Sequence, residues 1–207
     1  MFKHYLMHDK LLIRFGALFG VVMVIFLATW TLSYFFLPEG VLQERNAAQM
    51  LAGNDLAGNS VWLEWLRLLA INFGVMFLII IAPNILRTLG NFPLGYITVG
   101  VQAVVFGIIL GTNSFTLSLG SKLPPSIAIF GSSGLYEIAA YVLAATATAS
   151  ISKYRLIGIW PKQTTEMIVP PKTKSIIQQR NMGILLAGII LVIACGWEAY
   201  RFSLAIA

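Results

Sequence analysis

Five long apolar stretches, separated by polar or Gly/Pro-rich connections, dominate the pattern along this chain: residues 11–37, 63–86, 94–112, 134–152 and 182–200. Each reaches or approaches the ~20 residues that carry a helix across a ~30 Å hydrocarbon core. The pattern predicts an all-α integral membrane protein, a bundle of about five transmembrane helices forming a single membrane domain over residues 1–207. The 38–60 segment is polar and Asn/Gly-rich and reads as an outer loop, within which Val41 to Leu51 has the length of a short interfacial helix. Gly120, Pro124, Pro125 and Gly131 interrupt residues 113–133, so that segment is a loop or a re-entrant or interfacial segment rather than a span. Pro83 should bend or end the second helix.

Composition identifies the solvent. Of the 207 residues, 58% are hydrophobic and 11% charged, whereas soluble domains carry about 25% charged residues. A net charge of +6 would suggest nucleic acid in a soluble protein, but in a membrane chain it is explained by cytoplasmic loops, and nucleic acid is discounted. Lys3, Lys10, Arg14, Arg87, Lys153, Arg155, Lys162, Lys172, Lys174 and Arg180 fall on one side and Arg45, Arg67, Lys122 and Arg201 on the other, ten against four. This bias predicts an N-in, C-out orientation. Six of the ten lie in the 153–180 segment, which reads as a basic cytoplasmic linker where a peripheral partner or the anionic leaflet would dock, although topology alone explains such a bias. The basic N-terminus precedes an apolar run with no evident small-residue cleavage site, so the first stretch is expected to stay as an anchor. Cys195 is the single cysteine, which excludes an intramolecular disulfide and any cysteine-based metal cluster.

Carboxylates inside spans carry the strongest functional signal, because an ionised one at the bilayer centre costs at least ~2.5–3.5 kcal/mol on insertion scales. Counting ~1.5 Å per residue from Lys153 and Arg180 sets Glu137 and Glu198 near the outer boundary, and counting back from Arg87 sets Arg67 at a similar level. Arg67 is expected to pair with Glu137 or Glu198 in an interhelical cluster, with Asn72, Ser132 and Ser133, that is structural or lines a substrate path. Glu137 also suits a helix cap after Ser132 and Ser133, while Glu64 reads as interfacial beside Trp62 and Trp65. Asn72 reads as interhelical glue, and Gly107 with Gly111 as a small-xxx-small packing face. His4 and His8 with Asp9 are too few to make a metal site. No HExxH, GxSxG or phosphate-binding Gly loop occurs, so no metal, cofactor or catalytic residue is expected, and any ATPase must be another chain.

Ile129-Phe-Gly-Ser-Ser-Gly-Leu-Tyr-Glu-Ile-Ala-Ala-Tyr-Val-Leu-Ala-Ala-Thr-Ala resembles a signature of the stage II sporulation protein M (SpoIIM-like) superfamily, in which a small-polar pair and Gly precede a Glu and an alanine-rich helix. Ile190-Leu-Val-Ile-Ala-Cys-Gly-Trp-Glu-Ala-Tyr looks like that superfamily's closing helix. Asn72 and the Gly107/Gly111 helix fall in the matching order, so the resemblance covers roughly residues 11 to 203. Many members have His where Ser132 and Ser133 stand, and no role that needs an imidazole carries over. The resemblance implies a small multi-pass protein of the cell (plasma) membrane working in a multiprotein complex. Relatives occur in sporulation engulfment machinery and in circular bacteriocin clusters beside an ABC-type ATPase. The leading expectation is a non-catalytic subunit for bacteriocin maturation, export or immunity. An engulfment-type scaffold and an intramembrane enzyme using Glu137 are the rivals. Membrane lipid, other membrane subunits and the ATPase are the expected partners, with a homo-oligomer left open.

Overall fold

The computed structural model describes residues 2–42, 60–88, 91–114, 121–126, 134–158, 163–169 and 173–206. A short helix α1 (Phe2–Leu6) precedes α2 (Leu11–Phe36) and α3 (Val61–Gly74). After α4 (Leu94–Gly111) come α5 (Gly134–Ala147) and α6 (Lys174–Ile206). Helix α3 continues as a π-helical stretch, Val75–Ile81, and a 3-10 turn, Ala82–Ile85; α5 continues as a 3-10 turn, Thr148–Ile151. Among the described residues, counted with these continuations, five helices are long and apolar enough to cross a membrane, and the chain is a multi-pass membrane protein. The interfacial helix expected at Val41 to Leu51 falls almost wholly outside the described residues.

Small residues decide which helices touch. In lipid no hydrophobic force drives helices together, so close backbone approach and internal hydrogen bonds hold a bundle. Helix α4 lies along α2, and α6 along both α3 and α5. A Cβ on Gly107 would come within 3.0 Å of Phe26 O and Trp30 N, and one on Gly111 within 2.7 Å of Trp30 O; α4 therefore meets the α2 backbone directly. Gly16 and Gly20 have open space around them. Alanine-rich α5 is the central element, with Ile138, Ala140, Tyr141, Val142, Ala144 and Ala145 all buried.

Because the five spans alternate in direction, the loops gather at two ends. At one end lies a three-stranded sheet that the all-α expectation omits. Its order is β1 (Leu86–Arg87), β2 (Tyr154–Ile157), β3 (Thr164–Met167), with β1 parallel and β3 antiparallel to β2. A two-residue strand has no readable period, and its partner stands almost seventy residues away, so hydropathy patterning holds no trace of it. The expected 153–180 linker is thus partly a β-hairpin. Its last residues, Lys174 to Arg180, are the first turns of α6, polar enough to escape an apolar count but helical nonetheless. Leu11 N–H donates to Gln179 Oε1 at 2.8 Å and binds these turns to the start of α2.

Asn84 closes the same end of the bundle. Pro83 lacks the N–H that an α-helix needs and its ring crowds the preceding turn, so the second span ends through π and 3-10 geometry at Ile85. The fully buried Asn84 then donates to Ala145 O (2.8 Å) and to Thr148 Oγ1 (2.7 Å), and accepts from Gly95 N–H (2.8 Å). Ser152 Oγ donates to Asn84 O at 2.7 Å. One side chain therefore ties the second, third and fourth spans together. At the opposite end Gly40 N–H donates to Thr112 O (2.7 Å) and Asn113 Nδ2 to Glu39 Oε1 (2.7 Å), joining the ends of α2 and α4. Of the 113–133 segment, residues 121–126 are described around these helix ends, with Trp30 Nε1 donating to Leu123 O at 2.9 Å.

Three substitutions check this account of packing. Asn84→Leu should lower stability by about 2–3 kcal/mol, since it strands the Gly95 amide. Gly111→Val should lower the melting temperature in detergent while Gly16→Ala leaves it unchanged. Equal melting of all three and the wild type contradicts the packing described.

Candidate functional site

Glu64, Asn72 and Glu137 are buried at the end of the bundle remote from the sheet, where α3 and α5 begin and α6 nears its end. Each helix contributes a polar face. Glu64, Leu68 and Asn72 succeed one another at i, i+4 and i+8 on α3; Glu137 and Tyr141 are i, i+4 on α5; Cys195 and Glu198 are i, i+3 on α6. Packing α3, α5 and α6 side by side turns these faces toward one another.

The contacts form a continuous chain. Cys195 Sγ accepts from Asn72 Nδ2 at 3.4 Å, and the same amide nitrogen donates to Leu68 O at 3.0 Å. Tyr141 Oη donates to Asn72 Oδ1. Glu137 is within hydrogen-bonding reach of both Asn72 and Glu198, and Glu198 in turn feels the charges of Glu64, Arg67 and Arg201. Arg67 grips Glu64 in a fork, with Nε donating to Oε2 at 2.9 Å and the second nitrogen to Oε1. From Glu64 to Asn72 the chain reaches ~12 Å into the bundle.

A hydrogen bond between two carboxyl groups requires a proton on one of them. With one proton on the Glu137–Glu198 pair, Glu64 ionised and both guanidinium groups charged, the cluster sums to zero. Neutrality of this kind is what allows ionisable groups to sit where an isolated charge would be expelled. The arrangement can do two things chemically: exchange the shared proton, or accept a cationic group in its place.

Several expectations are sharpened or altered here. Arg67 stands at the level of Glu137 and Glu198, but its direct ion pair is with Glu64 on its own helix. Glu64, expected beside the interfacial tryptophans, is buried within the protein at 4% exposure; its i,i+3 spacing to Arg67 was the available signal. Tyr141 and Cys195 are members that reasoning from charge alone passed over, although each lies one turn from a carboxylate on the same helix face. Ser132, Ser133, Lys162 and Lys172 lie outside the described residues. Lys153 and Arg155 are on or beside β2, and Lys174 and Arg180 on α6, all at the far end. Among the described residues no group of three His, Cys, Asp or Glu side chains is arranged to hold a metal.

No protein-family model, no curated protein and no solved structure matches this chain.

The ion pair can be tested by charge exchange. Arg67→Ala should cost about 3 kcal/mol by leaving Glu64 buried and unpaired, and adding Glu64→Gln should return much of that loss. Arg67→Glu should be rescued by Glu64→Arg and not by Glu137→Arg. Rescue by Glu137→Arg, read as folded yield on size exclusion, would reassign the partner.

Proposed function

We propose that this chain is a non-catalytic membrane subunit of a transport or export complex, and that the Glu137–Glu198 pair lines the substrate path. One observation carries this reading: two carboxyl groups from different spans are held together inside the bundle. Packing alone is served as well or better by apolar residues of similar volume, and ionisable groups kept at membrane depth characteristically mark ion, proton or substrate routes.

The sheet end faces the cytoplasm in this reading. The ten-to-four distribution of Lys and Arg supports an N-in, C-out orientation in the plasma membrane. Lys153, Arg155, Lys174 and Arg180, with the rest of the 153–180 segment, then form a basic surface for a partner that hydrolyses ATP. Bacteriocin maturation, export or immunity is the setting that the superfamily resemblance implies, with a small hydrophobic or cationic peptide as the substrate. An engulfment-type scaffold would use the loops at the carboxylate end and leave the Glu137–Glu198 pair dispensable.

In the native host, Glu137→Gln and Glu198→Gln should each reduce peptide export or self-protection at least about tenfold, while Leu185→Ala, on the lipid-facing side of α6, does not. Wild-type tagged protein in mild detergent should bring down other membrane subunits and an ATPase. Full function in both glutamine variants at equal membrane levels would refute the path; absence of copurifying partners would refute the complex.

A further inference from the structure

Three guanidinium groups converge at the sheet end, and of their residues the transport reading uses only Arg155, as part of the docking surface. Arg14 lies one turn into α2, Arg87 on β1 and Arg155 on β2. Arg87 and Arg155 are register partners on neighbouring parallel strands, so their side chains leave the sheet on the same face. Arg14 and Arg87 both act on the Tyr96 hydroxyl, which donates to Leu6 O at 3.1 Å and fixes α1 beside them. Like charges have been gathered here by three separate pieces of chain.

Their own partners leave the cluster unsatisfied. Arg14 donates from a terminal nitrogen to His8 O (2.7 Å) and Asp9 O (3.2 Å), and Arg87 to Ala149 O (3.3 Å). Glu166 is the one carboxylate within ion-pair distance among the described residues, at 3.9 Å from Arg155 and half exposed. The Nε–H groups of Arg14, Arg87 and Arg155 are all buried without an acceptor, and an unmade hydrogen bond at a buried donor costs ~1–3 kcal/mol. Burial, followed by the neighbouring Arg155 guanidinium, pushes the Arg87 pKa down, which is the mark of a charge lacking a counterion.

We propose that Arg14, Arg87 and Arg155 form a binding site for a phosphate group, occupied by the phosphodiester headgroup of an anionic phospholipid. Planar guanidinium forks match phosphate oxygens, and charge-assisted bonds of this type are the stronger class. The level is that of the headgroups: Arg14 is the fourth residue of its helix, Arg87 lies two residues beyond the end of the second span and Arg155 four beyond the end of the fourth. Beside it Ile157 leaves β2 on the same face as Arg155 and is 44% exposed, and Val169, two residues past the end of β3, is 92% exposed, apolar side chains suited to the acyl boundary rather than to water. That flank favours a lipid over a soluble phosphate. The proposal rests on none of the carboxylate contacts that carry the transport reading.

The full-length protein in neutral detergent provides the test, with phosphatidylglycerol, phosphatidylcholine and inorganic phosphate as probes, read by thermal shift and by lipid retention in native mass spectrometry. Phosphatidylglycerol should raise the melting temperature and be retained, phosphatidylcholine should do neither, and inorganic phosphate should have little effect. In Arg87→Gln/Arg155→Gln the preference for phosphatidylglycerol should weaken by about tenfold or more; in Arg87→Lys/Arg155→Lys, which keeps the charge but loses the fork, part of it should survive. Protection by inorganic phosphate equal to that by phosphatidylglycerol would overturn the lipid assignment in favour of a soluble phosphate. Indistinguishable responses to the two lipids in the wild type, or an unchanged preference in the glutamine variant, would overturn the site. The wild-type comparison stands even if a variant fails to fold.

Discussion

Hydrocarbon offers no hydrogen-bond partner, so every polar group carried into this bundle must be answered by another polar group of the same chain. That constraint organises the molecule. Asn84 uses both atoms of its amide to join three spans near the sheet, and Asn72 uses both of its own to join three near the opposite end. Between these two hubs the contacts are apolar and depend on small residues, notably the alanines of α5 and the Gly107/Gly111 face. The hubs give the bundle its register; the small residues let the helices come close enough for the hubs to work.

The two hubs differ in what they hold. Asn84 meets backbone carbonyls, a hydroxyl and an amide, none of which changes charge, and it is satisfied completely. Asn72 meets a phenol, a thiol and, through Glu137, a carboxyl pair that continues to Glu198 and the charged groups beyond it. The π-helical stretch begins three residues after Asn72, so the backbone on that side departs from regular α geometry next to the cluster. A fixed clamp at one end and a charge-bearing network at the other is the asymmetry expected of a membrane protein with a working end and a supporting one.

The spans were legible because their signal is local: about twenty apolar residues in a row carry it without reference to anything else. That Glu137, Glu198 and Arg67 share one end of the bundle followed from helix rise alone. What could not be read was whatever depends on which helices are neighbours. Arg67 and Glu64 are a local pair, but whether Glu64 is buried depends on α6 lying across it. Tyr141 and Cys195 look like ordinary core residues until α3 brings Asn72 between them. The sheet joins Leu86 and Arg87 to Tyr154 and Arg155 across most of two spans, and no periodicity encodes such a pairing. The start of α6 was misplaced for the opposite reason, since its first turns are helical without being apolar.

The account rests on the Glu137 and Glu198 carboxyls sharing one proton inside the bundle. Infrared spectroscopy of the reconstituted protein at neutral pH reads this directly through the C=O stretch of a protonated carboxylic acid, distinct from that of carboxylates. The wild type should show such a band, shifted in heavy water, and it should vanish in both Glu137→Gln and Glu198→Gln. A spectrum with carboxylate bands only, or a protonated band indifferent to both replacements, would contradict it.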